Sequence, residues 1–261
     1  MISRSRLFFY RLLFGAALLA LWEFSAGRWI DPFWVSSPSA VFKYLYGVIA
    51  DGSIFNHLAI TLYETFSGFF IGSIAGIGLG FALGRREVLA QVLDPYVVAF
   101  NGIPRIALAP LFIIWFGIGP TSKVILVVSV VFFLTFFNTF AGVKGVDTEL
   151  KNILRIMGAS ERQILTKVTL PATVPWITTG LKISLPYAIV AAVVGEFIAA
   201  SKGLGYLINY NTSLFSTTGA LGGILILAVV VVLCNEVITR VESHFLRWRP
   251  REEQKSKSEL Y

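Results

Sequence analysis

The sequence has one cysteine, two histidines and little charge, with Asp, Glu, Lys and Arg making up 14% of its 261 residues. Cys234 stands alone in an apolar run, which excludes a disulfide framework and a cysteine-based metal site; it reads as a small buried hydrophobe. His57 and His244 fall on opposite predicted sides of the membrane, and neither H-E-x-x-H nor G-x-S-x-G occurs, so there is no template for an intramembrane hydrolase. G-x-x-x-x-G-K-[ST] is missing too, so the chain has no recognisable P-loop and is not itself expected to hydrolyse ATP. A net charge of +7 comes without an aromatic-interleaved basic patch, which argues against nucleic acid as a partner.

What is present is apolar surface. Hydrophobic residues make up 56% of the chain and the mean hydropathy is +0.74, a balance that a soluble domain of this size could not bury. A bilayer core about 30 Å thick needs about 20 mostly apolar helical residues. Six segments qualify: 7–27, 58–84, 94–118, 124–143, 175–200 and 219–240. The expected fold is an all-α membrane protein of about six transmembrane helices. Residues 1–246 form the membrane domain, 144–171 a cytoplasmic loop within it, and 247–261 a charged cytoplasmic tail. With the N-terminus inside, sixteen of the 22 basic residues fall on the cytoplasmic side, so the positive-inside rule places both termini there. The first segment has the basic start of a signal peptide. It lacks a clear A-x-A site, however, and carries Arg11 and Glu23, which favours an uncleaved helix. Trp29, Trp34, Trp176 and Trp248 lie near predicted boundaries, as interfacial anchors do.

Gly68, Gly72, Gly76, Gly80 and Gly84 recur at every fourth position of the second span, on one slowly drifting helical face. In lipid such a face allows close backbone approach and van der Waals contact. The partner helix belongs either to this chain or to a second copy. Gly76-x-Gly78-x-Gly80 is no nucleotide loop, because it follows no strand and lies within an apolar span.

The loop from Lys144 to Pro171 has helical apolar spacing at Leu150, Ile153, Leu154 and Met157. Gly158 can end that helix in the left-handed conformation, and Ser160-Glu161-Arg162-Gln163 fits a capping box that starts another, expected to stop at Pro171. Two short amphipathic helices therefore meet at a glycine, either resting on the membrane surface or docking a soluble partner.

This loop resembles the signature of ABC-importer permeases, E-A-A-x3-G-x9-I-x-L-P, with Gly158, Val168, Leu170 and Pro171 at the corresponding places. Asn152, Ile153 and Leu154 replace the usual Glu-Ala-Ala, so any salt bridge of that glutamate must come from elsewhere, with Asp147 and Glu149 as candidates. The stretches Val35 to Val41, Ile103 to Phe112, Trp115 to Gly119, Phe137 to Gly142 and Gly195 to Tyr206 are similar to the permeases for sulfonate, taurine, nitrate and thiamine-precursor-like solutes. The resemblance implies the type I importer permease architecture, called MetI-like, in the bacterial cytoplasmic membrane. It also implies a second copy of the permease, separate ATPase subunits that carry ATP and Mg, and an extracytoplasmic substrate-binding protein. Contacts to the ATPase would come from Asp147, Glu149, Asn152, Gly158, Ala159, Ser160, Leu170 and Pro171. No cofactor or metal is expected in this chain.

Asn101, Pro104, Arg105 and Pro110 interrupt the third span, and counting 1.5 Å per residue from Asp94 puts Arg105 about 16 Å deep. An exposed charge there costs at least about 2.5–3.5 kcal/mol, so Arg105 should face protein or water. The prolines can break the helix where a cavity or neighbouring protein satisfies the freed groups. Asn101 and Arg105 are therefore pathway candidates; the alternative is a structural arginine paired with Glu196 or with helix carbonyls. Glu196, near the outer end of the fifth span, lines a gate, pairs with Arg105 or sits at the interface. Lys182 is expected to snorkel, and Asn138 to bond a neighbouring helix. A secondary transporter is the rival reading, but the internal repeat with paired broken helices that it calls for is not apparent.

Overall fold

The structure, a computed structural model, describes residues 4–245; the expected tail at 247–261 and Trp248 lie outside the described residues. The described residues are almost entirely helical. Five helical stretches are long and apolar enough to cross a membrane: Arg6–Ser25, Ser53–Gly84, Pro120–Lys144, Glu161–Ile198 and Thr217–Ser243. Their elements are α1 (Arg4–Ser25), α4 (Ser53–Gly84), α7 (Pro120–Lys144), α10 (Leu170–Ile198) and α12 (Thr217–Phe245). Shorter helices fill the connections. On the side expected to be external, these are α2 (Pro32–Val35), α3 (Pro38–Ala50) and α11 (Leu204–Ser213). Both α2 and α3 begin with proline, which gives up no helical hydrogen bond there, and Asp31 and Ser37 cap their free amides.

The centre of the bundle is α7, which packs along α4 on one side and α10 on the other. The glycine stripe of α4 faces α7 of the same chain. A Cβ added at Gly68 would lie 2.5 Å from Val127 Cβ, one at Gly72 3.0 Å from the Val128 carbonyl, and one at Gly80 2.7 Å from the Phe136 carbonyl. Glycine is the side chain that fits these positions, and the close approach supplies the dispersion contacts that replace a hydrophobic effect in lipid. Small residues also line the second seam, where Gly180 lies against Asn138 and Ala188, Ala191 and Ala192 join Leu126, Val127, Val130 and Val131 in the core. By contrast, α1 buries none of its apolar window and is tied to α3 through Glu23, whose carboxylate accepts from Ser39 Oγ (2.7 Å) and Ser39 N–H (2.9 Å).

Two expectations need correction. The third predicted span, 94–118, is not one helix: α5 (Glu87–Asn101), a 3₁₀ turn (Arg105–Leu108) and α6 (Ala109–Phe116) share it. Pro104 stands at the break, where it has no amide to donate and disfavours α geometry in the residue before it. Nor does Pro171 stop a helix. From Glu161 the chain runs helically through α9 (Glu161–Ile164), a π turn (Leu165–Thr169) and α10. Pro171 falls in the first turn of α10, immediately after the wider π turn, which accommodates its ring and missing N–H without a break.

Candidate functional site

At the expected inner ends of α4 and α7 the chain forms an elbow. Its first arm is α8 (Thr148–Ile156), started by Asp147, whose carboxylate accepts from the Glu149 N–H at 2.7 Å. The helix ends at Gly158, with φ +86°; the Gly158 and Ala159 amides donate to the Arg155 and Leu154 carbonyls. That pairing is a complete Schellman cap, and its left-handed residue is one that a glycine adopts without strain. The second arm opens with the expected capping box: Ser160 Oγ accepts from Gln163 N–H, and Gln163 Oε1 accepts from Ser160 N–H at 2.8 Å. Arg155 spans the bend, donating to Glu161 at 2.7 Å and to Asn152 Oδ1 at 3.0 Å. Asn152, at the place of the signature's usual glutamate, thus orients the arginine that braces the two arms.

The two sides of α8 differ in chemistry. Lys151 and Arg155 line a cleft against Gly84, Arg85 and Lys144, at the ends of the spans. Leu150, Ile153, Ile156 and Met157 are left uncovered, Ile156 at 88% and Met157 at 76% exposure. Leu170 is also exposed, whereas Ala159 and Pro171 are half-buried.

The opposite, expected outer, end of the bundle holds a buried polar knot around Glu196, whose other members the sequence did not single out. Glu196 is 1% exposed; its carboxylate accepts from Thr61 Oγ1 at 2.7 Å and from the Gly205 N–H at 2.6 Å. Thr61 in turn accepts from the Leu204 N–H at 2.8 Å, and His57 Nδ1 accepts from the Gly203 N–H at 3.1 Å while its ring stacks on Tyr206. Glu64, equally buried, reaches Glu196, and both carboxyl groups lie in the field of Lys123. Lys123 falls between the predicted spans 94–118 and 124–143, and so was expected in the external connection between them. Instead it folds into the bundle and donates to the carbonyls of Ile118 and Gly119 (3.2 Å to the latter).

Arg105 opens the 3₁₀ turn beside the broken span, with its guanidinium carbon 4.2 Å from the Phe133 ring centroid and Nη2 donating to the Phe100 carbonyl at 3.5 Å. Asn101 closes α5; its side chain is outside the described residues.

The profile of a family described as "Binding-protein-dependent transport system inner membrane component" matches residues 68–248. The chain belongs to this family. It is a permease of an ABC importer, a non-catalytic, multi-pass subunit of the inner membrane that works with an ATPase and a binding protein. The permease is similar to the putative aliphatic sulfonates transport permease protein SsuC of Bacillus subtilis, at 33% identity over 91% of this chain and 87% of the relative. It is similar also to the formylaminopyrimidine transport permease protein ThiX of Halalkalibacterium halodurans (32%, covering 92% and 96%) and to the taurine transport system permease protein TauC of Escherichia coli (31%, covering 89% and 87%). Its fold matches a chain of the inward-facing MetNI methionine ABC transporter with a TM-score of 0.57, at 23% identity over 74% of this permease and 94% of that chain.

Within the permease, two polar residues of the spans stand differently from expectation. Lys182 does not snorkel freely but pairs with Glu242 of α12 at 2.7 Å. Asn138 Nδ2 donates to Leu134 in its own helix at 2.8 Å while its Cβ packs beside Gly180. Glu64 and Lys123 could have been suspected from their charge in apolar surroundings; their partners, on helices far apart in sequence, could not.

Proposed function

We propose that two copies of this permease enclose a path for a small solute of the sulfonate, taurine, nitrate or thiamine-precursor kind, driven by ATP and Mg in separate ATPase subunits. Both termini lie in the cytoplasm, and a binding protein delivers cargo to the outer mouth. The observation that carries the docking role is the uncovered apolar side of α8, whose basic side turns to the spans. A helix resting on the bilayer would place those groups the other way round, with its apolar residues toward the lipid. A soluble partner of complementary apolar surface satisfies the exposed face.

Asp147, Glu149, Asn152, Gly158, Ala159, Ser160, Leu170 and Pro171 form or frame this handle, with Arg155–Glu161 keeping its two arms at a fixed angle. ATP closing the paired ATPases would move the elbow, and the unbroken helical run from Glu161 to Ile198 would carry the motion across the membrane. Such a ligand shifts the permease only by binding one state better than the other. Asn101 and Arg105, at the break in the third span, line the path, and the cation suits an anionic solute. Glu196 acts as the brace of the outer loop Ala199 to Gly205. The test is reconstitution with the ATPase and the binding protein. Gly158→Pro should abolish substrate-stimulated ATP hydrolysis while the permease still inserts and purifies, and unchanged stimulation would reject the docking role. A panel of sulfonates, nitrate and pyrimidines offered to the binding protein identifies the cargo.

A further inference from the structure

A cavity of about 710 Å³ lies between the ends of α4 and α7 and the inward side of α8. Five cations line it, Arg85, Arg86, Lys144, Lys151 and Arg155, against one carboxylate, Glu161, which is already engaged by Arg155. Arg85 and Lys144 alone would be unremarked, since cations at helix C-termini complement the helix dipole. With Arg155 paired to Glu161, Lys151 changes the balance, because it comes from a different helix and brings a fourth unmatched cation to the same cleft. Like charges gathered this way repel unless an anion joins them.

We propose that this cleft binds the phosphate of an anionic phospholipid headgroup, which fastens α8 to the ends of the spans. Three features define the ligand. Arginine forks at the rim match phosphate oxygens in paired hydrogen bonds. The volume is that of a small-molecule site rather than of a single ion. The depth is that of the headgroups, because α4 ends at Gly84 and α7 at Lys144 beside the cleft. Basic pockets at this level attract anionic lipid through each added Lys or Arg. That the lipid belongs to the inner leaflet rests on the proposed orientation; the charge and shape of the cleft do not.

The full chain, purified in mild detergent, is titrated with short-chain phosphatidylglycerol, with phosphatidylcholine and with inorganic phosphate, and its thermal unfolding is followed. Wild type should be stabilised by phosphatidylglycerol. The double variant R86Q/K151Q should need about 30-fold more for the same shift. R162Q/K167Q removes two exposed cations of the same loop that do not line the cleft, and should follow wild type. Phosphatidylcholine should shift none of them. If inorganic phosphate discriminates between the variants equally well, the phosphate site stands and its source is the cytosol. Equal phosphatidylglycerol responses from wild type and R86Q/K151Q would overturn the proposal, as would native mass spectrometry of the wild type that finds no retained anionic lipid. No ATPase is present, so failure here leaves the docking role untouched.

Discussion

Gly195 leaves the space through which the stem of Lys123 reaches the buried knot around Glu196: a Cβ at Gly195 would lie 2.8 Å from Lys123 Cγ. The positive charge of the lysine acts on both Glu64 and Glu196, and carbonyls hold its ammonium in place. Removing one member of a buried charge cluster leaves the others uncompensated, at a cost of about 3 kcal/mol or more. Lys123→Met should therefore lower the melting temperature of the purified permease sharply, and adding Glu64→Gln should recover much of the loss. A double variant no better than the single would mean that the groups are uncoupled. Arg105 is a different case, because it is half-exposed, resting against Phe133 beside the helix break. Arg105→Ala should reduce uptake by about tenfold or more while leaving expression and complex assembly near wild type. Normal uptake would make Arg105 purely structural. Of these residues the sequence marks Arg105 as a charge deep in an apolar span and Glu196 as one near the outer end of the fifth. It places Lys123 in the wrong environment, because α7 begins earlier than its apolar run and the lysine then turns inward.

At the level of elements, the glycine stripe shows how much periodicity reveals. Spacing of four identifies a packing face on α4 but not its partner, since any close helix would satisfy the pattern. The structure supplies α7. Gly80 and Gly78 then make a matched pair, one with the Phe136 carbonyl 2.7 Å from an added Cβ and one facing open space. Gly80→Leu should give little folded permease after extraction, whereas Gly78→Leu should be tolerated; equal yields would deny that the stripe sets the α4–α7 seam. The elbow was legible in detail, from Gly158 to the Ser160 capping box, because caps are local chemistry. What followed it was not. Whether Pro171 ends a helix or sits in its first turn depends on the chain on both sides, and the π turn that makes it acceptable leaves no local signature. Gly158→Val should strain the cap by about 1–2 kcal/mol, as expected for a β-branched residue at φ +86°. It should weaken ATPase coupling more than it weakens membrane insertion, and a coupling level equal to wild type would contradict the elbow's mechanical role.

For the whole molecule, hydropathy found five of the six expected spans and the resemblance found the family, yet neither gave the arrangement. Three helices, α4, α7 and α10, form the packed body; α1 stands off with its apolar side chains uncovered. Two polar clusters cap that body at opposite ends, a buried knot under the loop from Ala199 to Gly205 and a basic cleft behind α8. The central claim is that the motor grips the uncovered face of α8, and a cysteine placed there tests it directly. In membranes containing the ATPase subunit, a Met157→Cys variant with Cys234→Ser should give an adduct of permease and ATPase with a short bifunctional crosslinker. A variant that supports full uptake, reacts readily with a small thiol reagent and still never captures the ATPase would contradict the account.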